Sequence, residues 1–518
     1  MSHQFARATA AEEARCLEGA LAAMQKVEGF DVVVVCTGTE QQAAYWQAKL
    51  EKGRGTVVPL SCKVVCVFED WNGGAGNGLG TLYAWQKASA ADGDLKRGLA
   101  AREISCAIYH TAGKGTRLAP LPGAENNNKP GVKLPACYGD EPLTILESVV
   151  KQTGVYAASR KGRLSVFWGD QIFVPTVSYA YTPTAHADIL CTLGPMPSAQ
   201  QWKDNGLEKY GLVAVARSGG ACQIEKVDFD TALEMTKGLG EVVAVGTSLG
   251  SFSVSSTLLD ALTEEFAVEL AEKKACFDSD PHWWMPATLG LEAYTALMAK
   301  KGVSTEDATA HHARIRGMLA KNAKLTTQNG LLHFLGPVDV GANAYWWDYG
   351  QLKLYVKNAF RLIEPGPESD AMRQFMSVTL NEEGSALSNV STKSQSVSKS
   401  VLANVKVADL TTDSSVVVNC TAKKLTCGKN SVAYNVLEDG ELTLADGEVV
   451  TDVFMPDGTK IRQRSRIDLD GGKTWKIQVE ENAFSFEDVY KQNQKTDVLQ
   501  TSATAAQAHA DLANTLGL

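Results

Sequence analysis

The first third of the chain repeats one pattern: a short apolar run, a polar glycine-containing loop, then an amphipathic segment. FDVVVVCTGT (30–39) reads as a strand entering a loop and EQQAAYWQAKLEKG (40–53) as a helix. CKVVCVFED (62–70) leads into the glycine-rich WNGGAGNGLGTLYAWQKA (71–88). REISCAIYHTAGKGTRLAPLP (102–122) repeats strand, glycine loop and basic residue, and RLSVFWGDQIFVP (163–175) supplies a fourth strand. Strands that are apolar throughout, alternating with helical segments, imply a parallel sheet covered on both faces. Ligands of such sheets sit beyond the carboxyl ends of the strands.

A chain of 518 residues exceeds one ordinary core, so two or three domains are expected. Its net charge of −9 argues against general nucleic-acid binding but leaves room for a small phosphorylated ligand. Eleven cysteines without CxxC pairs suggest free thiols in a reducing setting rather than zinc or disulfides, with the cytoplasm the expected compartment and a plastid the alternative if a transit peptide has been removed. The N-terminal segment reads as an amphipathic helix, and no stretch approaches the roughly 20 apolar residues of a membrane span. No membrane partner is expected, and the sequons at Asn389 and Asn419 read as chance matches.

Composition changes after Glu364. Residues 1–365 form the expected α/β domain, and PGPESD with SALSNVSTKSQSVSKS (366–400) reads as a linker or loop. From 401 to 480, short β-branched runs are separated by Asp, Asn, Gly and Ser, as in the rungs of a β-helix. Residues 481–518, rich in Ala and Gln, read as a helical tail.

The chemistry concentrates at His110-Thr-Ala-Gly-Lys-Gly-Thr-Arg-Leu118. Gly113 and Gly115 let backbone N–H groups approach phosphate oxygens, and Arg117 adds a bidentate donor. NNNKPGVKLP (126–135) then brings Lys129 and Lys133. This resembles the signature of sugar-1-phosphate nucleotidyltransferases, a Gly-Gly-x-Gly-Thr-Arg-Leu loop followed by a lysine ahead of a proline. Ala112 replaces the first glycine, so nucleotide choice does not carry over, and either lysine could be the matching one. Further segments follow in the family's order. They are Trp168-Gly169-Asp170, Lys209-Tyr210-Gly211-Leu212-Val213, Ile224-Glu225-Lys226 (with Val227 for the usual proline), Thr247–Val254 and Trp347-Asp348-Tyr349-Gly350. The N-terminal layout, with Gly76, Gly78, Gly80, Thr81 and Leu82 ahead of the signature loop, is similar to fucose-1-phosphate guanylyltransferases. That stretch is neither a Walker loop nor a Rossmann fingerprint; tight strand–helix packing is its other reading. GTRLAPLP also resembles UDP-glucose pyrophosphorylases.

The resemblance implies an α/β, Rossmann-like (GT-A-like) mixed sheet with a smaller C-terminal β domain, a left-handed β-helix. It implies a magnesium cofactor on Asp170 and Asp348, with Lys226 on the sugar phosphate. Arg117 with Lys129 or Lys133 would hold the β- and γ-phosphates. Thr111, Ala112, Gly113, Lys114, Gly115, Thr116 and Gly169 would line the nucleotide, and Tyr210, Gly211, Glu225, Gly250 and Phe252 the sugar. The expected partners are a nucleoside triphosphate and a sugar 1-phosphate, with self-association through the β domain. UTP with glucose 1-phosphate is the leading pair, and GTP with fucose or mannose 1-phosphate the alternative. A non-catalytic nucleotide-sugar-binding subunit is the reading from another class. His110 is read as structural; the pairs Trp283-Trp284 and Trp346-Trp347 could stack on a base or sugar, with core packing the leading role for most of them.

Overall fold

The computed structural model describes residues 8–111, 113–322, 324–327 and 333–518. Its centre is a nine-stranded sheet. Four strands are parallel neighbours, in the order Lys63–Phe68, Val32–Thr37, Cys106–His110, Arg163–Trp168. Every residue of Val32–Thr37 is buried, which is why the run shows no polar alternation. The two-residue period still operates. Val33, Val35, Ala107, Tyr109 and Phe167 enter one apolar layer, and Val32, Val34, Ile108, Leu164 and Val166 the other.

Beyond Arg163–Trp168 the sheet turns antiparallel. Val242–Ser255 pairs with Arg163–Trp168, with Ala185–Pro195 and with Gly211–Ala216, which in turn pairs with Ala221–Glu225. His333–Asp339 adds to the outer side of Ala185–Pro195 in parallel. The sheet is therefore mixed, as the resemblance implied; the strand pattern pointed to its parallel part alone, since an apolar strand looks alike in both settings. Under it, Asp188 ties Arg160, Arg163, Tyr181 and Ser253 into a buried network.

A separate two-stranded ribbon pairs Gln171–Val174 with Tyr345–Asp348, setting Asp348 opposite Gln171. This ribbon carries the C-terminal part of the α/β unit back to the sheet's carboxyl edge.

The stretch 366–400 is not a linker. Pro367–Met376 is a helix and Ala386–Ser398 a strand, the first of a parallel stack that continues through Val401–Asp413 and Val416–Cys427. Its serines read as loop because this end strand has a neighbour on one side only and exposes much of its length. The second β unit thus begins at 386, ahead of the 401 read from composition. Ala386, Val401, Val416, Val432 and Val449 stand in register and join the apolar layer that also holds Val33 and Tyr109. At one corner Asn389, Asn404, Asn419 and Asn435 all have positive φ, and their amides form a ladder in which the first three each donate to the next side chain and Asn435 donates to the Asp452 carbonyl. Both sequon asparagines belong to that ladder. The antiparallel strand Lys460–Arg466 closes the stack, and helices Phe486–Asn493 and Val498–Leu516 follow. All eleven cysteines are free, and no described helix is long and apolar enough to cross a membrane.

Candidate active site

Strand Cys106–His110 delivers His110 and Thr111 to the sheet's carboxyl edge. Thr111 is buried there, its N–H and hydroxyl both donating to the Cys36 carbonyl at 3.0 Å. Gly113, at φ 124°, has open space where a side chain would stand; Ala112 lies outside the described residues. Gly115, at φ 64°, sits where a Cβ would stand 3.1 Å from Lys129 Cβ, so the loop and the lysine pack directly together.

Lys129 donates to Asp170 at 2.5 Å. Asp170 follows strand Arg163–Trp168, and its carbonyl accepts from the Tyr349 N–H at 3.0 Å, locking the ribbon in place. A Cβ on Gly350 would stand 2.9 Å from Asp348 Oδ1, 3.5 Å from Asp170 Oδ2 and 3.8 Å from Lys129 Nζ. Three charged groups from distant parts of the chain therefore surround one point, and Gly350 leaves it open. Among the described residues no cluster of three or more His, Cys, Asp or Glu could hold a metal by itself. Two carboxylates suit magnesium, which keeps several waters and binds through one or two carboxylates plus substrate phosphates.

Lys129 and Asp170 also line a cleft of about 460 Å³, together with Gly169, Trp168, His110, Glu69, Gly74 and Asn77. His110 is central to it. Its ring lies 5.7 Å from that of Trp168, and its Nε2 meets the Thr81 hydroxyl at 2.9 Å. Burial pushes the imidazole pKa down to about 4, so it is neutral at physiological pH. The glycines at 76, 78 and 80 serve close packing. Cβ atoms there would fall 2.6 and 2.8 Å from the Phe277 carbonyl and 2.9 Å from Glu69 Oε2.

A second cavity, about 660 Å³, is lined by Thr192, Tyr210, Leu212, Thr247, Leu249 and Trp346, among others. Trp346 shares a strand with Asp348. The period of two turns both to one side, leaving Trp347 buried on the other.

Several expected residues lie elsewhere. Lys133 pairs with buried Glu125 at 2.5 Å and faces Tyr434 of the β stack. Lys114 reaches over the Tyr490 ring at 5.7 Å, toward the tail. Arg117 is exposed, with its stem beside Gly472 rather than in the wall of the cleft. Thr116 begins the short helix Thr116–Leu118, and its carbonyl is covered by Gly471, where a Cβ would stand 2.5 Å away. Phe252 cannot touch a sugar: it is fully buried, edge-on to Trp283 and Trp284. At Gly250 the direction of a side chain is filled by Trp168 Nε1, 2.6 Å from an added Cβ, so this glycine makes room for tryptophan and not for a pyranose. Glu225 is held by Lys301 at 2.9 Å and Lys226 at 3.4 Å. The Lys226 side chain is 65% exposed and lines neither cavity. Tyr210 lines the second cavity, and Gly211 opens the next strand.

Sequence reasoning missed Glu69 and Asn77 as cleft residues, although a carboxylate ending an apolar strand before a glycine run is a usable signal. It also missed the Asp470–Gly472 turn against the signature loop, which has no local mark.

No family model and no curated protein matches the chain. Among solved structures, HddC from Yersinia pseudotuberculosis aligns at 10% identity and TM-score 0.26, over 65% of this chain and 81% of that one. The same protein complexed with GMP-PN aligns at 9% identity and TM-score 0.23, over 63% and 96%. Likeness at that level defines neither fold nor activity.

Proposed function

We propose that the chain is a sugar-1-phosphate nucleotidyltransferase, converting a nucleoside triphosphate and a sugar 1-phosphate into a nucleotide sugar and pyrophosphate. The observation that carries this reading is the meeting of Lys129, Asp170 and Asp348 around Gly350, at one end of a glycine-walled cleft. In the reaction a phosphate oxygen of the sugar 1-phosphate bonds to the α-phosphorus. The bond from that phosphorus to the bridging oxygen breaks, and its electron pair leaves with pyrophosphate. No general base is needed, because the attacking phosphate is already anionic; alignment and charge neutralisation do the catalysis. Lys129 would neutralise phosphate charge, and the open backbone at Gly113 would donate N–H groups. Asp170 and Asp348 would hold magnesium, which when bound offsets charge on the reacting phosphates. Lys226, from the sequence resemblance, would meet the sugar phosphate from its exposed position just outside the cavity wall, where its N–H donates to the Tyr210 carbonyl at 3.0 Å. The cavity beside Tyr210 and Trp346 would take the sugar, its exposed rings offering faces to a pyranose. Glucose 1-phosphate leads as acceptor, with fucose or mannose 1-phosphate behind it. Base choice belongs to the opposite end of the cleft. We also read the stacked C-terminal strands as turns of a left-handed β-helix, given ladder steps of 15 to 17 residues.

The test is pyrophosphate release from four nucleoside triphosphates against glucose, galactose, mannose and fucose 1-phosphates, with magnesium. One pair at least about tenfold above the others supports the reading. Tight nucleotide-sugar binding without turnover of any pair would favour the non-catalytic subunit instead.

A further inference from the structure

Resting on the nucleotide-binding reading above, we propose that Glu69 reads the base and that the base is guanine. Glu69 directly follows strand Lys63–Phe68, and its N–H donates to the Thr37 carbonyl at 2.8 Å, which fixes it at the sheet's carboxyl edge. One carboxylate oxygen accepts the Ala75 N–H at 2.9 Å; the other lies against Gly80. None of the ion pairs among the described residues involves Glu69, although the residue is half-buried and lines the cleft. Its neighbour Asp70 is the one that takes both nearby lysines, Lys87 and Lys273. A partly buried carboxylate without a cation is costly unless something brings donors to it. Burial raises its pKa and the Ala75 bond opposes the rise.

A chain of contacts leads from Glu69 through His110 to the phosphate-binding groups. Gly80 separates Glu69 from His110, a Cβ there falling 2.9 Å from Oε2 and 3.7 Å from His110 Cε1. His110 then contacts Trp168, and Gly169 packs on the His110 carbonyl and on Pro130, beside Lys129. A nucleotide whose phosphates lie at Lys129 therefore extends its base past His110 toward Glu69. Gly73 and Gly74 leave that end free of side chains, with no atom within 4 Å of a Cβ on Gly73.

A carboxylate has acceptors only, so the base must supply donors. Guanine alone presents two adjacent ones, N1–H and the 2-amino group, one for Oε2 and one for the second lone pair of Oε1, which already accepts from Ala75. Uracil offers a single N3–H flanked by carbonyl oxygens that would face the carboxylate. Adenine and cytosine offer one amino group beside a ring acceptor. Each wrong base brings one donor at most and sets a carbonyl or ring acceptor against the carboxylate, and sites built on such bonds discriminate strongly. The carboxylate thus favours GTP over UTP, reversing the order taken from the sequence.

The experiment is equilibrium titration of the full chain with GTP, ITP, UTP, ATP and CTP. GTP should bind at least about tenfold more tightly than the other four. ITP, which lacks only the 2-amino group, should fall below GTP by about that factor, a comparison needing no variant. Glu69→Gln should weaken GTP at least about tenfold and leave UTP within about twofold. ITP equal to GTP, or UTP, ATP or CTP tighter than GTP, would overturn the assignment of Glu69 while leaving nucleotidyl transfer intact. Absence of binding by all five would instead sink the nucleotide-binding reading on which it rests.

Discussion

Lys129 and Lys133 stand in one short run, and the fold sends them to different places. Lys129 turns into the cleft onto Asp170, and Lys133 turns to Glu125 and the β stack. The two roles separate by measurement. Lys129→Met should cut pyrophosphate release by roughly 100-fold or more with little change in Tm. Lys133→Met should leave turnover within about threefold and lower Tm, because Glu125 is then buried without its cation. Equal kinetic losses from both would contradict this division. Asp348→Asn should behave like Lys129→Met, since its Oδ1 faces the same point. His110 invites an acid–base role, but burial holds it neutral down to about pH 4. Its folded pKa lies below the ordinary 6.5, so no ionisation of His110 falls between about pH 5.5 and 8. The pH profiles of turnover for wild type and His110→Gln should therefore run parallel there; a limb near 6.5 lost in the variant would contradict it.

At the scale of elements, loops that belong to different parts of the chain brace each other. The turn Asp470–Gly472 sits on the signature loop, with Gly471 over the Thr116 carbonyl. A larger residue has no space there, so Gly471→Val should push the signature loop and raise KM for the nucleotide several-fold, with kcat less affected. A Tm loss with unchanged KM would mean the turn is only structural. The asparagine ladder makes a second case. Asn419 accepts from Asn404 at 2.6 Å and donates to Asn435 at 2.5 Å, with φ at 55°. Asn419→Ala loses two bonds and puts alanine in a left-handed backbone, costing about 2–4 kcal/mol by summing those effects. Chemical denaturation of the variant measures it directly.

For the whole molecule, the α/β unit and the β stack share one apolar layer, and the tail helix seals the seam between them. His509 on that helix meets the Thr421 hydroxyl at 2.9 Å. Burial, with Lys133, Lys460 and Lys406 opposing Asp452, pushes its pKa down to about 3. An unfolded histidine takes its proton near 6.5 and the folded one refuses it until about 3. Native stability should accordingly fall as pH drops through that window. The Tm of wild type should decline faster between about pH 7 and 4 than that of His509→Gln, and identical slopes would remove the assignment.

Strand runs 30–39, 62–70, 102–110 and 163–168 were legible in the sequence because continuous burial leaves an unbroken apolar pattern, as was the glycine loop, because positive φ demands glycine at 113 and 115. The amides that stack at 389, 404, 419 and 435 left only a loose trace, and the serine-rich strand 386–398 left none, because its exposed face is as polar as a loop. Tertiary structure alone decided which lysine meets Asp170, that Gly250 yields to Trp168 and not to a ligand, and that Glu69 shares a cleft with Lys129. The physical reason is that burial and backbone conformation act on neighbours in sequence, whereas charges meet wherever the sheet order and the returning ribbon bring them.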